Sequence, residues 1–304
     1  MSRTKTVACL AGDGVGPELM AAAARALDRV SKLHALELDD VHLPFAGEAV
    51  TRCGHALPAA TRSAYREVDA ILVASADEPA FEGVKADLDL AWRVARVHLA
   101  GDADVLVFGP VGEWANAVAL ERAFTCAASR GGRVVLVGES EAWREAAAAE
   151  QGRWAAMQVT ELSLGEAIVR LQERPHELDV VATESALVSG LVDAAAHFAG
   201  SRAAVAQAWL PEHGPGVFAP GASESDDVAG FGVADPTGML LAASLLLSEG
   251  LKRRSAARTL ERAVGTAIER AGSGPRETRS FADAVIDLLP QTRTDLELFD
   301  EVRR

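Results

Sequence analysis

Short apolar runs alternate along the chain with longer segments in which alanine, leucine and valine recur at helical spacing. Short apolar runs bounded by polar residues are typical of buried strands, and recurrence every three or four residues predicts a helix. The pattern predicts strands at 6–10, 36–43, 70–75, 105–108, 134–137 and 180–183. It predicts helices at 17–33, 59–67, 117–129, 141–150, 164–174, 186–198, 236–248, 256–271 and 281–289. Strands that alternate with helices indicate a layered α/β fold.

One long segment, 209–232, is rich in Gly, Pro, Ser and Asp and lacks either pattern. A loop of that length in a compact domain is usually functional or disordered. The helix that follows it is expected to begin with Asp235 as N-cap and Pro236 as its first residue.

A glycine-rich segment, AGDGVGPE at 11–18, follows the first predicted strand and opens the first helix. Its glycines, Gly12 and Gly14 among them, allow a tight turn and a close approach to a ligand. It is not the dinucleotide fingerprint GxGxxG, because Pro17 stands where that motif needs glycine. Taken alone, the segment fits a tight strand-to-helix turn as well as a ligand loop.

Composition narrows the class of protein. The chain has 304 residues with 44 acidic and 30 basic side chains, a formal charge of −14. Such a surface repels nucleic-acid backbones and anionic lipid, so neither is an expected partner. No run of 18 apolar residues predicts a membrane span, and the N-terminus does not resemble a signal peptide. Three widely spaced cysteines suggest neither a disulfide framework nor a metal knuckle, which favours a reduced, cytoplasmic protein.

Several segments, in this order along the chain, resemble the isopropylmalate and isocitrate dehydrogenases, which decarboxylate 2-hydroxy acids with NAD or NADP. They are GDGVGPE (12–18), PFAGEA (44–49), GHALP with Thr61 (54–61), DVAGFGVADPT (227–237) and TRSFADAV (278–285). The resemblance implies an α/β, two-lobed fold with a reduced small lobe, because a family segment that includes a dimer arm is missing between Pro110 and Leu120. It implies a large lobe at 1–100 and 233–304, and a smaller lobe at 101–232 with the cofactor-type loop 209–232.

The resemblance also implies positions for three substrate-binding arginines. The first matches Arg93, whereas the second falls near Ala103, where Arg96 is the only nearby substitute. The third falls near Gly109. Arginine forks grip carboxylates well, so Arg93 is the candidate substrate contact.

The family's proton-transfer and metal groups are mostly replaced. Glu139 stands at the position of the catalytic lysine, and the catalytic tyrosine belongs to the missing segment. The metal carboxylates fall at Ser189, at Asp193 and, from the partner subunit, at Gly165 or Glu166. Asp193 and Glu166 are therefore the remaining metal candidates, and Mg or Mn binding is doubtful. The whole chain has only four lysines and one tyrosine, Tyr65.

The cofactor-type loop is retained in part. By resemblance, Asp227 would bind the adenosine ribose hydroxyls, which favours NAD, and Gly12, Gly14 and Asp235 complete the cofactor-binding set. The His-Gly pair expected before Asp227 is either replaced by Ala222-Ser223 or shifted to His213-Gly214, and the two alignments stay open. Acidic residues at the same edge disfavour a pyrophosphate; they are Asp77, Glu78, Glu224 and Asp226.

Two hypotheses about function follow. The first is a pseudoenzyme, which acts as a regulatory or partner subunit or as a small-molecule binder. The second is an active NAD-dependent oxidoreductase with an altered 2-hydroxy acid and site. In either case the predicted helices 164–174 and 186–198 are apolar enough to form a homodimer, and a catalytic paralogue is an alternative partner.

Overall fold

The computed structural model describes residues 3–75, 79–99, 103–222, 226–272, 274, 276–292 and 295–296. Within them, ten strands form one sheet. The strands are β1 (Lys5–Leu10), β2 (Leu38–His42), β3 (Ala70–Val73), β4 (Leu90–Leu99), β5 (Ala103–Pro110), β6 (Arg133–Val137), β7 (Gln158–Leu162), β8 (Val180–Thr183), β9 (Val205–Pro211) and β10 (Gly216–Pro220).

The sheet has the order β2-β1-β3-β10-β9-β4-β5-β8-β6-β7. Strands at both ends pair in parallel, whereas β10, β9, β4 and β5 pair antiparallel in the middle. Two parallel α/β halves are therefore joined through a central antiparallel segment. Parallel strands need crossover helices, which explains why helices cover both faces.

The helices described are α1 (Gly16–His34), α2 (Ala46–Cys53), α3 (Ala59–Arg66), α4 (Pro79–Ala86), α5 (Asn116–Ala128), α6 (Glu141–Arg153), α7 (Leu164–Glu173), α8 (Ser185–Phe198), α9 (Thr237–Leu245), α10 (Arg254–Ala271) and α11 (Thr278–Leu288). The largest apolar cluster joins α1, α5, α9 and α10 to one face of the sheet. On the other face, α7 and α8 pack over β4, β5 and β8. A third cluster lies between α2, α3, α4 and the other end of the sheet.

Helix α9 is the central helix of the larger cluster. All nine of its residues, Thr237–Leu245, are buried, as expected for a helix that is apolar on every side. It continues into a π-helical turn, Leu246–Gly250. A search of the described helices finds none that is both long enough and apolar enough to span a bilayer.

The predicted fold class is confirmed, and so are the six predicted strands and nine predicted helices, with shifts of a few residues at their ends. The α9 helix begins at Thr237, one residue later than predicted. The N-cap is Pro236 and not Asp235 as predicted. Asp235 precedes it, and one of its carboxylate oxygens accepts hydrogen bonds from the backbone N–H and hydroxyl of Thr237.

The prediction of a single loop at 209–232 is wrong. The end of β9 and all of β10 lie within it, and they form an antiparallel pair between β3 and β4 in the centre of the sheet. Glycine, proline and alanine weaken the strand signal there, and tertiary burial overrides that weak local preference. The division into lobes at 1–100 with 233–304, and 101–232, stays a prediction.

Strand β4 was also missed, because its arginines interrupt the alternation expected of a strand. Arg93 and Arg96 lie three residues apart, so they point to opposite faces of the sheet. Arg93 lies on the α8 face, and Arg96 lies on the α5 and α10 face. This separation of the two arginines creates two distinct polar cavities.

Candidate functional site

The first cavity forms where β4 and β9 meet α8. It has a volume of about 140 Å³, and its polar lining is Arg93, Ser189, Asp193, Arg202 and Gln207. The Nη2 group of Arg93 donates to the Ser189 hydroxyl at 3.3 Å. The structure therefore brings together three residues that the sequence alignment placed in one site, namely Arg93, Ser189 and Asp193.

The charges in this cavity leave one cation in excess. Asp193 forms an ion pair with Arg202, and both side chains are about half exposed. Arg93 has no such carboxylate partner: its Nε is buried and makes no hydrogen bond to any described residue. Burial lowers the pKa of the Arg93 guanidinium. A partly buried cation without a counter-charge attracts anions, so an anion entering this cavity is stabilised by Arg93.

The two positions where the family would have further arginines do not supply them. Arg96 is the only nearby substitute, but it faces the opposite side of β4 and pairs with Asp104 and Glu261. Gly109 lies within β5, where a Cβ would come within 2.1 Å of a Val188 methyl group. Because α8 packs so closely over β5, no side chain fits at that position.

The proposed metal residues are engaged elsewhere. Glu166 belongs to the capping box of α7, where its carboxylate accepts from the backbone N–H and hydroxyl of Ser163 at 2.8 and 2.7 Å. Asp193 is neutralised by Arg202. In the part of the chain that the structure describes, no three His, Cys, Asp or Glu side chains are grouped to hold a metal. Divalent cations prefer several oxygen ligands, and this donor set does not fit one.

The glycine-rich segment at 11–18 is held in place by contacts with other parts of the chain. Gly12 has φ +72° and Gly14 φ +57°, conformations that favour glycine. A Cβ at Gly12 would lie 2.5 Å from the Ser75 hydroxyl, which donates to the carbonyl of Ala11 at 3.0 Å. The Asp13 carboxylate accepts from Gly47 N–H at 2.6 Å and so caps α2. These contacts explain the glycines as a tight turn, and a cofactor role for them stays a prediction.

The two other cofactor candidates differ in exposure. Asp227 is exposed on a short 3₁₀ turn. Asp235 instead accepts a hydrogen bond from the Thr237 N–H at the start of α9 and lies 3.4 Å from the Arg276 guanidinium. The loop between them is fastened to α1, because Gly232 N–H donates to Glu18 at 3.1 Å. Of the candidate set, only Asp227 presents an exposed carboxylate; Asp77, Glu78 and Glu224 lie outside the described residues.

The tyrosine and the lysines lie outside the Arg93 cavity. Tyr65 is fully buried, and its hydroxyl donates to Asp87. Burial and this hydrogen bond raise the pKa of Tyr65 far above its ordinary value. Each lysine pairs with a carboxylate close to it: Lys5 with Asp69, Lys32 with Asp28, Lys85 with Glu82 and Lys252 with Glu249. Glu139, at the family's lysine position, is exposed after β6.

Arg202 and Gln207 were not found from the sequence. Gln207 lies opposite Ala95 in the β4–β9 pair, on a strand that the sequence assigned in part to a loop. The polar Gln207 within the apolar run VAQAWL was the available signal. Arg202 follows α8 in a 3₁₀ turn, and its proximity to Asp193 depends on how that turn packs.

Comparison with known proteins assigns the chain to a family. A family model described as isocitrate/isopropylmalate dehydrogenase matches residues 6–92 and 113–284. The chain belongs to this family. The unmatched interval 93–112 includes Arg93 and overlaps the region where the sequence indicates a missing segment.

Curated relatives agree with this assignment, and solved structures share the fold. The 3-isopropylmalate dehydrogenase of Synechococcus sp. (strain CC9902) is 28% identical over 86% of this chain and 90% of its own length. That of Pseudoalteromonas translucida is 29% identical over 88% and 92%. Isocitrate dehydrogenase from Methylococcus capsulatus shares the fold with a TM-score of 0.78 at 19% identity, over 93% and 99% of the two chains. A beta-decarboxylating dehydrogenase from Thermococcus kodakarensis gives a TM-score of 0.80 at 20% identity, over 99% of each chain.

Proposed function

We propose that this family member binds a small carboxylic acid through Arg93 and does not oxidatively decarboxylate it. In this proposal it serves as a small-molecule binder or as a regulatory or partner subunit. The observation that carries the proposal is a cavity with a surplus guanidinium and without a lysine or tyrosine in its lining. The relatives are named as dehydrogenases, so the proposal rests on residues in which this chain departs from them.

The binding step follows from the geometry. A ligand carboxylate can accept a fork of hydrogen bonds from Arg93, and the Ser189 hydroxyl and Gln207 amide offer neutral hydrogen bonds to a neighbouring hydroxyl group. A cavity of about 140 Å³ has the volume of about four or five waters at ~30 Å³ each, which suits one end of a small acid. Arg202 already compensates Asp193, so Arg93 remains available for the ligand.

The proton-transfer steps lack suitable groups. Oxidation of a 2-hydroxy acid removes the hydroxyl proton, and decarboxylation leaves a carbanion that must be protonated. The polar lining offers two arginines, a serine, a glutamine and an arginine-paired aspartate. Arginine does not give up its proton near neutral pH, and the hydroxyl and amide are much weaker acids. No described lining residue can therefore act as the general acid.

Calorimetric titration tests the binding step, with isopropylmalate, isocitrate, malate and tartrate as ligands. We expect at least one acid to bind, and Arg93→Gln to weaken its binding by about 10-fold or more, since a charged hydrogen bond contributes ~1.5–3 kcal/mol. Arg25→Gln is the matched control, because Arg25 forms an exposed pair with Asp283 away from the cavity. Unchanged affinity in Arg93→Gln, or no binding of any acid at millimolar concentration, contradicts the proposal.

NAD remains a candidate ligand through Asp227, and the same titrations repeated with NAD and magnesium test it. The proposal does not depend on the outcome. Binding of NAD without turnover is compatible with a regulatory subunit, whereas NAD reduction supports the alternative, an active oxidoreductase with an altered substrate.

We also propose that two copies pair through α7 and α8, the helices that the family resemblance assigns to the dimer. Val169 on α7 is 50% exposed, which leaves an apolar side chain at the proposed interface. We expect Val169→Arg to convert a dimer into a monomer in sedimentation velocity measurements, because it buries an unpaired charge at the contact. Val50→Arg is the control, since Val50 is 49% exposed but lies on α2. A monomeric wild type, or a dimer in Val169→Arg, contradicts this arrangement.

A further inference from the structure

A second and larger cavity lies on the other face of β4. Its volume is about 800 Å³, and it is enclosed by β4, β5, α5, α10 and the π-helical turn before α10. Residues alternate between the faces of a strand, so Val94, Arg96 and His98 line this cavity, whereas Arg93 lines the first one. The sheet therefore separates the two cavities.

The lining of this cavity is basic, although the chain is acidic. Seven arginine or lysine side chains line it against four aspartates or glutamates. The chain as a whole has 30 basic and 44 acidic residues. The lining of this cavity therefore carries a positive net charge, although the net charge of the whole chain is negative. A concentration of positive charge in a cavity attracts anions.

Three of the four lining carboxylates already pair with basic side chains: Asp104 and Glu261 with Arg96, and Glu249 with Lys252. Arg96 is 4% exposed and pairs with both Asp104 and Glu261. Arg130 pairs with Asp104 at 3.1 Å and with Asp179. Glu261 also accepts from the Ser244 hydroxyl at 2.6 Å. The charges of Arg96, Arg130, Asp104 and Glu261 therefore largely compensate one another.

Three arginines of the lining have no anionic partner among the residues that the structure describes. The guanidinium groups of Arg122, Arg254 and Arg258 form neither an ion pair nor a hydrogen bond with any residue that the structure describes. The Nε of Arg122 is also buried without a partner. Burial lowers the pKa of Lys252, and the nearby charges of Arg122 and Arg254 also lower it, against the influence of Glu249. An anion that lies between neighbouring positive charges reduces their mutual repulsion.

The backbone that lines this cavity contains two irregular features, a π-helical turn and a lysine with a positive φ angle. The π-helical turn Leu246–Gly250 supplies Ser248 and Glu249 to the lining. Lys252 follows with φ +58°, a left-handed conformation that lysine rarely adopts. π-helical turns and strained residues occur frequently at functional sites, because the surrounding structure must stabilise them.

We propose that this cavity binds a small multivalent oxyanion, either a phosphorylated compound or a polycarboxylate. Both classes present several oxygen atoms to which arginine forks bind, and the cavity offers three such forks on two facing helices. Apolar side chains in the same lining, among them Leu106, Phe108 and Leu245, accommodate a carbon skeleton. The site is independent of the Arg93 cavity and of the acid that binds there.

Calorimetry of the full chain with inorganic pyrophosphate and with tricarballylate distinguishes the two sources of negative charge. We expect one probe or both to bind, and Arg258→Gln to weaken that binding by at least about 5-fold through loss of a charged hydrogen bond. Arg122→Gln should also weaken the binding of that probe. Arg270→Gln is the matched control, because Arg270 lies on the same helix but outside the cavity lining.

The Arg93→Gln variant separates this proposal from the proposed function. It should lose binding of the 2-hydroxy acid and retain binding of pyrophosphate or tricarballylate. Circular dichroism checks that each variant is folded, and Arg258, exposed on α10, provides a test even if Arg122→Gln does not fold. The proposal is overturned if neither probe binds at millimolar concentration, or if Arg258→Gln binds as tightly as Arg270→Gln.

Discussion

Replacing Arg96 by methionine is expected to lower the free energy of unfolding by about 3–5 kcal/mol, the cost of breaking a buried ion pair. The Arg96 side chain is 4% exposed and lies between Asp104 and Glu261, which are 18% and 14% exposed. Methionine matches the length of the arginine stem but leaves two carboxylates without this counter-charge. Urea denaturation at neutral pH measures the loss.

The pH dependence gives this prediction a second readout. Burial alone would raise the pKa of Asp104, but the charges of Arg96, His98 and Arg130 outweigh it and hold that pKa well below its ordinary value. A lowered folded-state pKa stabilises the protein above the unfolded value, about 3.9 for aspartate, and this contribution is lost as pH falls towards the folded-state pKa. The difference between wild type and Arg96→Met should therefore persist from pH 7 down to about pH 4 and become smaller only below that pH.

The control for this prediction is Arg25→Met. Arg25 pairs with Asp283 on the surface, where both side chains are about half exposed. An exposed pair contributes less than about 1 kcal/mol, so this variant should stay close to wild type. The prediction would be contradicted if Arg96→Met were as stable as Arg25→Met. It would also be contradicted if the loss of stability in Arg96→Met became larger at low pH, because the ion pairs of Arg96 with Asp104 and Glu261 would then not have the assigned role.

Oxidation of 2-hydroxy acids by this chain is expected to be slower than by its dehydrogenase relatives by a factor of about 10⁴ or more, since each missing proton-transfer group is worth ~10²–10⁴. The only tyrosine is buried against Asp87, and every lysine pairs with a carboxylate outside the Arg93 cavity. Glu139 stands where the resemblance implies a lysine. A carboxylate cannot donate a proton at neutral pH unless its pKa is strongly raised.

Absorbance of NADH measures this rate under conditions in which a relative is active. The 3-isopropylmalate dehydrogenase of Synechococcus sp. (strain CC9902), at the same concentration, is the positive control. A rate within about a hundredfold of that enzyme would mean that another group transfers protons, since loss of even one such group costs ~10²-fold.

Most of the fold could be predicted from the sequence because six strands and nine helices carry clear periodicity. The edge strand β7 and the short helices α2 and α4 were not predicted. The strand Val180–Thr183 was predicted with the bounds that the structure shows. The central strands were missed for physical reasons. β4 carries two arginines that the sheet separates onto opposite faces, and β10 is short and bounded by Gly216 and Pro220. Both are stabilised by long-range pairing and burial, which local pattern does not show.

The candidate site was predictable only where the family resemblance applied. That resemblance aligned Arg93, Ser189 and Asp193, and the structure brings all three to one cavity. The ion pair of Asp193 with Arg202 and the partnership of Arg96 with Glu261 depend on packing between distant elements. The basic cavity was unpredictable for the same reason, because its cations come from three separate segments of the chain, at 96, 122–130 and 252–262.

The most direct test of the central claim is a single assay of NADH formation. The acid that binds Arg93 in calorimetry is supplied at a saturating concentration, with NAD and with magnesium or manganese, and absorbance is followed for several hours. We predict that the acid is bound and that no NADH forms above the background of an Arg93→Gln sample. Formation of NADH that consumes the acid in equal amount, and that is absent in Arg93→Gln, would contradict the account and establish an active dehydrogenase.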